Sequence, residues 1–342
     1  MKKIKPLIII DPFPRSLDLI FTKSNLNYLK SNFILMEAPK KNKKKFYIEN
    51  IHSAIFIIGQ PHLPKEILSK AKNLKAIFNV ESNFIDNMDY KYCFEKGIYV
   101  LSTSPVFAQP VAEMSLGLTL SLARSIHIAH NDFINKKEKY GGLISKDNFL
   151  LKNKKFAFIG FGDLGKSLLP LIRPFSNQIM AYDPWVPEIL IKKNNVEPMS
   201  LKNIFKNADI IFILASITSS NQNMINLKTL NLMKDYSSII LMSRAAIIDF
   251  NDLYKFLKTR NVFAAIDVFP DEPFPKNHKM RLLKNVLFSP HRAGALDSAF
   301  KEMGEIVIGD IKLLIQNLPP KLCKKAELET VSKLNSKPVT NN

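Results

Sequence analysis

Phe156-Ala157-Phe158-Ile159-Gly160-Phe161-Gly162-Asp163-Leu164-Gly165-Lys166 is the stretch that decides the fold. Four apolar residues run into three glycines spaced G-x-G-x-x-G, and a helical pattern, Leu164–Ile172, follows. The glycine spacing alone is a weak signal, but its setting is specific. A strand leads in, a helix leads out, and the next strand ends on Asp183, 18 residues beyond Gly165. In such a turn Gly160 permits the tight bend, Gly162 lets the backbone approach a pyrophosphate, and Gly165 lets helix and strand pack closely. The helix N–H groups around Asp163 and Leu164 would meet the phosphate charge. A carboxylate at Asp183 would accept two hydrogen bonds from a ribose diol and repel a 2′-phosphate. The next residues, Pro184, Trp185 and Val186, supply no arginine for such a phosphate, so NAD is expected rather than NADP. The plainer alternative is that Asp183 caps a loop.

Outward from that turn, strands and helices alternate. Gln178–Tyr182, Ile210–Leu214, Ser238–Met242, Phe263–Ile266 and Val286–Phe288 read as further strands, with Asn251–Lys258 among the helices between them. Towards the N-terminus, Leu7–Ile10, Ile55–Ile58, Lys75–Val80 and Ile98–Leu101 read as strands, and Lys65–Lys72 and Tyr90–Lys96 as helices. The expected class is α/β, with parallel sheets covered by helices. Pro110 to about Asn135 reads as one long buried helix, Lys136–Leu150 with Gly141-Gly142 as a connection, and Leu296–Gln316 as a second long helix. The lysine-rich tail from Lys321 is expected to fray.

At 342 residues, two domains are the better prior. A hydrophobic content of 46% excludes a wholly disordered chain. No signal-peptide pattern opens the chain, and no uninterrupted apolar segment reaches spanning length. Cys93 and Cys323 give neither a metal spacing nor a disulfide framework, so a reduced, cytoplasmic protein without a metal site is expected. The formal charge of +19 comes from lysines spread along the chain, with one dense run, Lys40–Lys45, and no aromatic residues within it. That pattern reads as a solvated surface, with no nucleic acid and no membrane as partner. His127 and His130 have no carboxylate or cysteine at ligand spacing, and His52, His62 and His278 support no site.

Three side chains follow the last three apolar runs: Arg244, Glu272 and His291. If those strands are parallel neighbours, the three emerge at one carboxyl edge, where open α/β sheets place their ligands. Histidine can donate or accept a proton near neutrality. A carboxylate beside it would favour imidazolium and fix the tautomer. Arginine is always charged, and its fork suits a planar carboxylate with an adjacent carbonyl oxygen.

Ser243-Arg244-Ala245-Ala246-Ile247-Ile248-Asp249, Ala265-Ile266-Asp267-Val268-Phe269-Pro270-Asp271-Glu272-Pro273 and Ser289-Pro290-His291-Arg292-Ala293-Gly294 resemble successive signatures of the D-isomer-specific 2-hydroxyacid dehydrogenases. Val111-Ala112-Glu113 through Leu122-Ala123-Arg124 is similar to that family's interdomain helix. The resemblance covers roughly residues 55–315. It implies two doubly wound parallel-sheet domains: a flavodoxin-like substrate domain from 1–110 and 300–342, and a Rossmann NAD-binding domain, 111–299, that includes the helix. It implies an NAD-dependent oxidoreductase interconverting a D-2-hydroxy acid and its 2-keto acid, working as a homodimer through the long helix. His291 would be the acid/base, Glu272 its partner and Arg244 the substrate anchor. Ser243 and Asp267 would lie on the cofactor, Asp267 towards the nicotinamide. The backbone around Glu81-Ser82-Asn83 would bind the substrate carboxylate. Alternatives within the resemblance are a non-catalytic NAD(H)-sensing corepressor-like protein and a formate- or phosphite-type dehydrogenase. The chain is expected to lack the regulatory domain of many phosphoglycerate-oxidising relatives, since it ends too soon for one.

Departures from the family pattern concentrate around the substrate. Val80-Glu81-Ser82-Asn83-Phe84-Ile85-Asp86 stands where glycines are usual, and Ala245 follows the arginine in place of glycine. Leu214-Ala215-Ser216-Ile217-Thr218 lacks the usual polar start and proline. An inward-pointing Glu81 would repel an anionic substrate, or recognise a polar or cationic one.

Overall fold

The computed structural model describes residues 5–81, 83–140 and 148–333. Ser82, Gly141-Gly142 and the end of the lysine-rich tail lie outside the described residues. The chain forms two compact units. One comprises the residues up to Phe107 together with those from Ala295 onward, and the other is Ala108–Gly294. The expected boundaries were three and five residues later, after residues 110 and 299.

In the first unit, β1 (Leu7–Asp11), β2 (Ile34–Glu37), β3 (Ala54–Gly59), β4 (Ala76–Asn79) and β5 (Tyr99–Ser102) pair in parallel in the order β2-β1-β3-β4-β5. This is the flavodoxin-like order. Alternate residues serve opposite faces. Ile8, Ile10, Phe56, Ile58 and Phe78 join one core, and Ile9, Ile57 and Ile77 the other. Burial on both faces is why these strands read as continuous apolar runs.

The second unit carries β6 (Phe156–Ile159), β7 (Ile179–Tyr182), β8 (Glu197–Pro198), β9 (Ile210–Ile213), β10 (Ser238–Leu241), β11 (Phe263–Ile266) and β12 (Val286–Phe288). They form one parallel sheet, ordered β8-β7-β6-β9-β10-β11-β12. The first six strands have the Rossmann order, and the sequence order reverses between β6 and β9, the point where such sheets bind ligands. Phe156, Phe158 and Phe212 face one core, stacked on each other, while Ala157, Ile159, Ile211 and Ile213 face the other.

Three expectations need correction. The helix over Pro110–Asn135 is two helices, Ala108–Ala123 and Ile126–Ile134. Ser125 breaks it with a left-handed φ of 52°, while its hydroxyl donates to Asn148 Oδ1 at 2.7 Å. Second, Ser104–Ala123 is long and apolar enough, by length and composition alone, to cross a bilayer, although no such segment was expected. Leu118, Leu122 and Ala123 are nevertheless packed in a core with Leu168 and Leu169. Third, the start of the tail is ordered. The buried Asp310 carboxylate accepts the N–H groups of Lys321, Leu322 and Cys323 at 2.7–3.0 Å. That leads the chain into β13 (Lys324–Lys325), antiparallel to β5.

Candidate active site

The registers of the second sheet bring the signature segments together. Leu241 pairs with Ile266, and Ile266 with Phe288, so the three chains leave one edge side by side. Arg244 and His291 each lie three residues past those positions, and Glu272 six. The geometry that results is specific. His291 Nδ1 lies 2.6 Å from Glu272 Oε2. Because an ionised carboxylate only accepts, Nδ1 carries the hydrogen and Nε2 is left for a reacting group. The other Glu272 oxygen, Oε1, accepts the Phe269 N–H at 3.0 Å.

Partial burial alone would raise Glu272. The hydrogen bonds from His291 and Phe269, and the charges of His291 and Arg244, outweigh that and hold its carboxyl below the usual carboxylate range. Both side chains of the pair stay about one-third exposed, which leaves them reachable. Arg244 Nη1 donates to the Ser243 carbonyl at 2.7 Å. The Ser243 hydroxyl is buried and has no hydrogen-bond partner among the described residues.

Asp267 has a role that the sequence did not reveal. It is fully buried at the end of β11, and its carboxylate accepts the Ser289 hydroxyl at 2.5 Å and the N–H groups of Arg292 and Ala293 at 3.0 and 3.2 Å. Its carbonyl accepts the His291 N–H at 2.8 Å. His291 sits at φ 51°, in the left-handed region that few non-glycine residues adopt, and Asp267 holds it there from both sides. These bonds make Asp267 a positioning residue for the His291 segment, beside the cofactor contact expected of it. Ser289 belongs to the same clamp; its signals in the sequence were its place directly after β12 and at the head of the segment that carries His291.

At the switch point the fingerprint turn takes the form a phosphate needs. Gly160 has φ 92°, and a Cβ there would lie 2.5 Å from the Ala215 backbone. Gly162 caps Asp163–Ile172 without any side-chain cap, and no atom lies within 4 Å of where its Cβ would be. With no side-chain cap at Gly162, this helix start is of the kind that meets a phosphate charge. Gly165 is buried, with the Gly160 carbonyl 3.1 Å from its notional Cβ. Asp183 does cap its loop: it accepts Phe161 N–H at 2.7 Å, Trp185 N–H at 2.8 Å and Val186 N–H at 3.2 Å. It ties the glycine turn to β7, and one lone-pair direction remains for a ribose hydroxyl. These residues fit a dinucleotide.

In the first unit, Glu81 is buried and Asn83 partly buried in the loop after β4; Ser82 lies outside the described residues. Among the described residues, no group of three or more histidine, cysteine or acidic side chains could hold a metal.

The model of a family described as "D-isomer specific 2-hydroxyacid dehydrogenase, NAD binding domain" matches residues 116–293. The chain is 34% identical over 242 residues to hydroxypyruvate reductase of Thermotoga maritima, covering 70% of this chain and 77% of that protein. It is 30% identical over 280 residues to D-3-phosphoglycerate dehydrogenase of Methanocaldococcus jannaschii, covering 80% of this chain but 52% of that protein, so it spans about half that relative's length. The crystal structure of a phosphoglycerate oxidoreductase from Rhizobium etli superposes with a TM-score of 0.85 at 41% identity, covering 94% of this chain and 99% of that one.

Proposed function

The chain belongs to the D-isomer-specific 2-hydroxyacid dehydrogenases, and we propose that it interconverts a small D-2-hydroxy acid and its 2-keto acid, using NAD, with His291 as the acid/base. The observation that carries this reading is the 2.6 Å contact between His291 Nδ1 and Glu272, within range of the Arg244 charge. NADH, when bound, supplies the hydride that reduces the carbonyl carbon. Arg244 holds the substrate carboxylate and turns the carbonyl oxygen towards His291. As negative charge grows on that oxygen, the Nε2–H of imidazolium donates its proton to it. Glu272 stabilises the imidazolium beforehand and keeps the ring in one tautomer. In oxidation the same nitrogen accepts the hydroxyl proton. The turn at Gly160–Gly165 would hold the pyrophosphate, with Asp183 reaching the adenosine ribose, and the loop of Glu81 and Asn83 would meet the substrate carboxylate.

A homodimer is part of this reading. The helix Ile126–Ile134 buries none of its residues, and Ile126, Phe133 and Ile134 are more than half exposed. Such an apolar face supports burial against a second copy. A reduced, cytoplasmic setting is supported by two buried free thiols, with burial pushing Cys93 up to about 12. In the one dense lysine run, Lys43, Lys44 and Lys45 pair with Asp11, Glu66 and Glu49, which supports a surface role over a nucleic-acid patch.

The test is NADH oxidation by the purified protein with glyoxylate, hydroxypyruvate and other small 2-keto acids. Turnover of at least one is expected. NADH binding without turnover of any would favour the non-catalytic alternative.

A further inference from the structure

The loop after β4, which departs from the glycines usual in the family, is held by side chains. The fully buried Asn79 accepts the Glu81 N–H at 2.8 Å through Oδ1, and its Nδ2 donates to the Asn83 carbonyl at 3.3 Å. Val80, between them, is held through both backbone groups. Its N–H donates to Gln60 Oε1 at 3.3 Å, and its carbonyl accepts Arg15 Nε at 2.7 Å. Gln60 Nε2 donates in turn to the carbonyls of Pro12 and Phe13, at 3.2 and 2.6 Å. Segments after β1, β3 and β4 are thereby tied together at one sheet edge.

Charge is balanced at the same place. The Glu81 side chain is 3% exposed, and Arg15 Nη2 lies 3.7 Å from its Oε2. The guanidinium is largely covered, lying over the Phe300 ring at 4.9 Å and the Phe107 ring at 5.8 Å. Burial draws Arg15 down from its ordinary value, and Glu81 draws it back up. A buried carboxylate without a cation is costly, and it would also repel an approaching anion. Paired with Arg15, it adds no net charge to the loop.

We infer that Arg15 is a specificity-determining positioning residue: by neutralising Glu81 and anchoring Val80, it keeps the loop of Glu81 and Asn83 receptive to the carboxylate of an anionic 2-keto acid. This rests on the reading above that the loop meets the substrate carboxylate. The glutamate is then a spacer whose charge is cancelled, and a cationic substrate gains nothing from it.

Steady-state kinetics at saturating NADH, with glyoxylate and hydroxypyruvate as probes, test this on the wild type, Arg15→Met and the double variant Arg15→Met/Glu81→Gln. Arg15→Met raises KM for both anions about tenfold or more while kcat stays within about threefold, because the exposed like charge acts on binding. The double variant recovers most of the KM loss. A merely structural arginine would lower kcat as well and would not be rescued by removing its partner, and that outcome overturns the inference. If Arg15→Met does not fold, Glu81→Gln alone carries the test: Arg15 is then uncompensated and KM falls about threefold, whereas a rise overturns the inference. Wild-type turnover with an unmoved KM in Arg15→Met sinks this inference alone. No turnover by the wild type sinks the parent reading and this one with it.

Discussion

Two loops, one in each unit, solve the same problem with different chemistry. After β12, the segment Ser289–Ala293 is held by one buried acid, Asp267, whose carboxylate takes a hydroxyl and two backbone N–H groups. After β4, the loop is held by neutral amides, Asn79 and Gln60, and by an ion pair, Arg15–Glu81. The first arrangement fixes the pose of His291, the side chain proposed to move the proton. The second cancels a charge that would oppose an anion. If the proposed roles hold, one loop acts on rate and the other on affinity, and substitutions at the two should separate accordingly.

The largest combined effect on stability and turnover is expected at Asp267. Replacing it with alanine strands a buried hydroxyl and two N–H groups, costing about 3 kcal/mol or more of stability. With His291 released from its left-handed pose, turnover should also fall by roughly two decades. Denaturant unfolding and kcat measured on one preparation check both. A variant with normal kcat would remove Asp267 from the positioning role and break the contrast with Arg15, whose loss acts on KM.

Glu272 comes next, with a defined pH signature. Its folded-state carboxyl lies below the ordinary range, so its contribution to stability is fully present above the unfolded value and is lost as pH falls through the folded one. The stability gap between wild type and Glu272→Gln should therefore be constant near neutrality and close in acid. Urea midpoints across that range test it, and a gap that widens in acid would contradict the assignment. Asp183→Ser should have a double effect: NADH affinity drops about tenfold, as the Phe161 N–H loses its acceptor, while the preference over NADPH narrows. Titration with both cofactors separates the two, and an unchanged preference would leave Asp183 as a loop cap only. The smallest effect is on chemistry itself. Phe133→Asp should convert a dimer to monomer by light scattering with the NADH site intact, and a monomeric wild type at micromolar concentration would refute the apolar-face reading.

How much of this was legible depended on where an element lies in its sheet. β6, β11 and β12 begin and end at the residues their apolar runs mark. β8 lies at a sheet edge, only two residues long with a proline, and gave no such run. β2, also an edge strand, overlaps the apolar run Phe33–Met36 but is largely exposed, and it was not read as a strand. β13 is two exposed lysines placed by a buried aspartate on a distant helix, a tertiary cause without local trace. The site divided the same way. Arg244, Glu272 and His291 were visible because each follows a strand that pairs with the next. Asp267 and Arg15 were not, or not in their observed roles, because each acts through atoms brought to it by folding.

In the proposed reaction His291 moves the proton while NADH is held elsewhere, at the glycine turn. The most direct test measures NADH affinity and keto-acid turnover together in His291→Ala. Turnover should fall by roughly two to four decades, the range for a positioned acid/base, with NADH affinity within about threefold of wild type. Full turnover in that variant, or an affinity loss as large as the loss of turnover, would contradict the account.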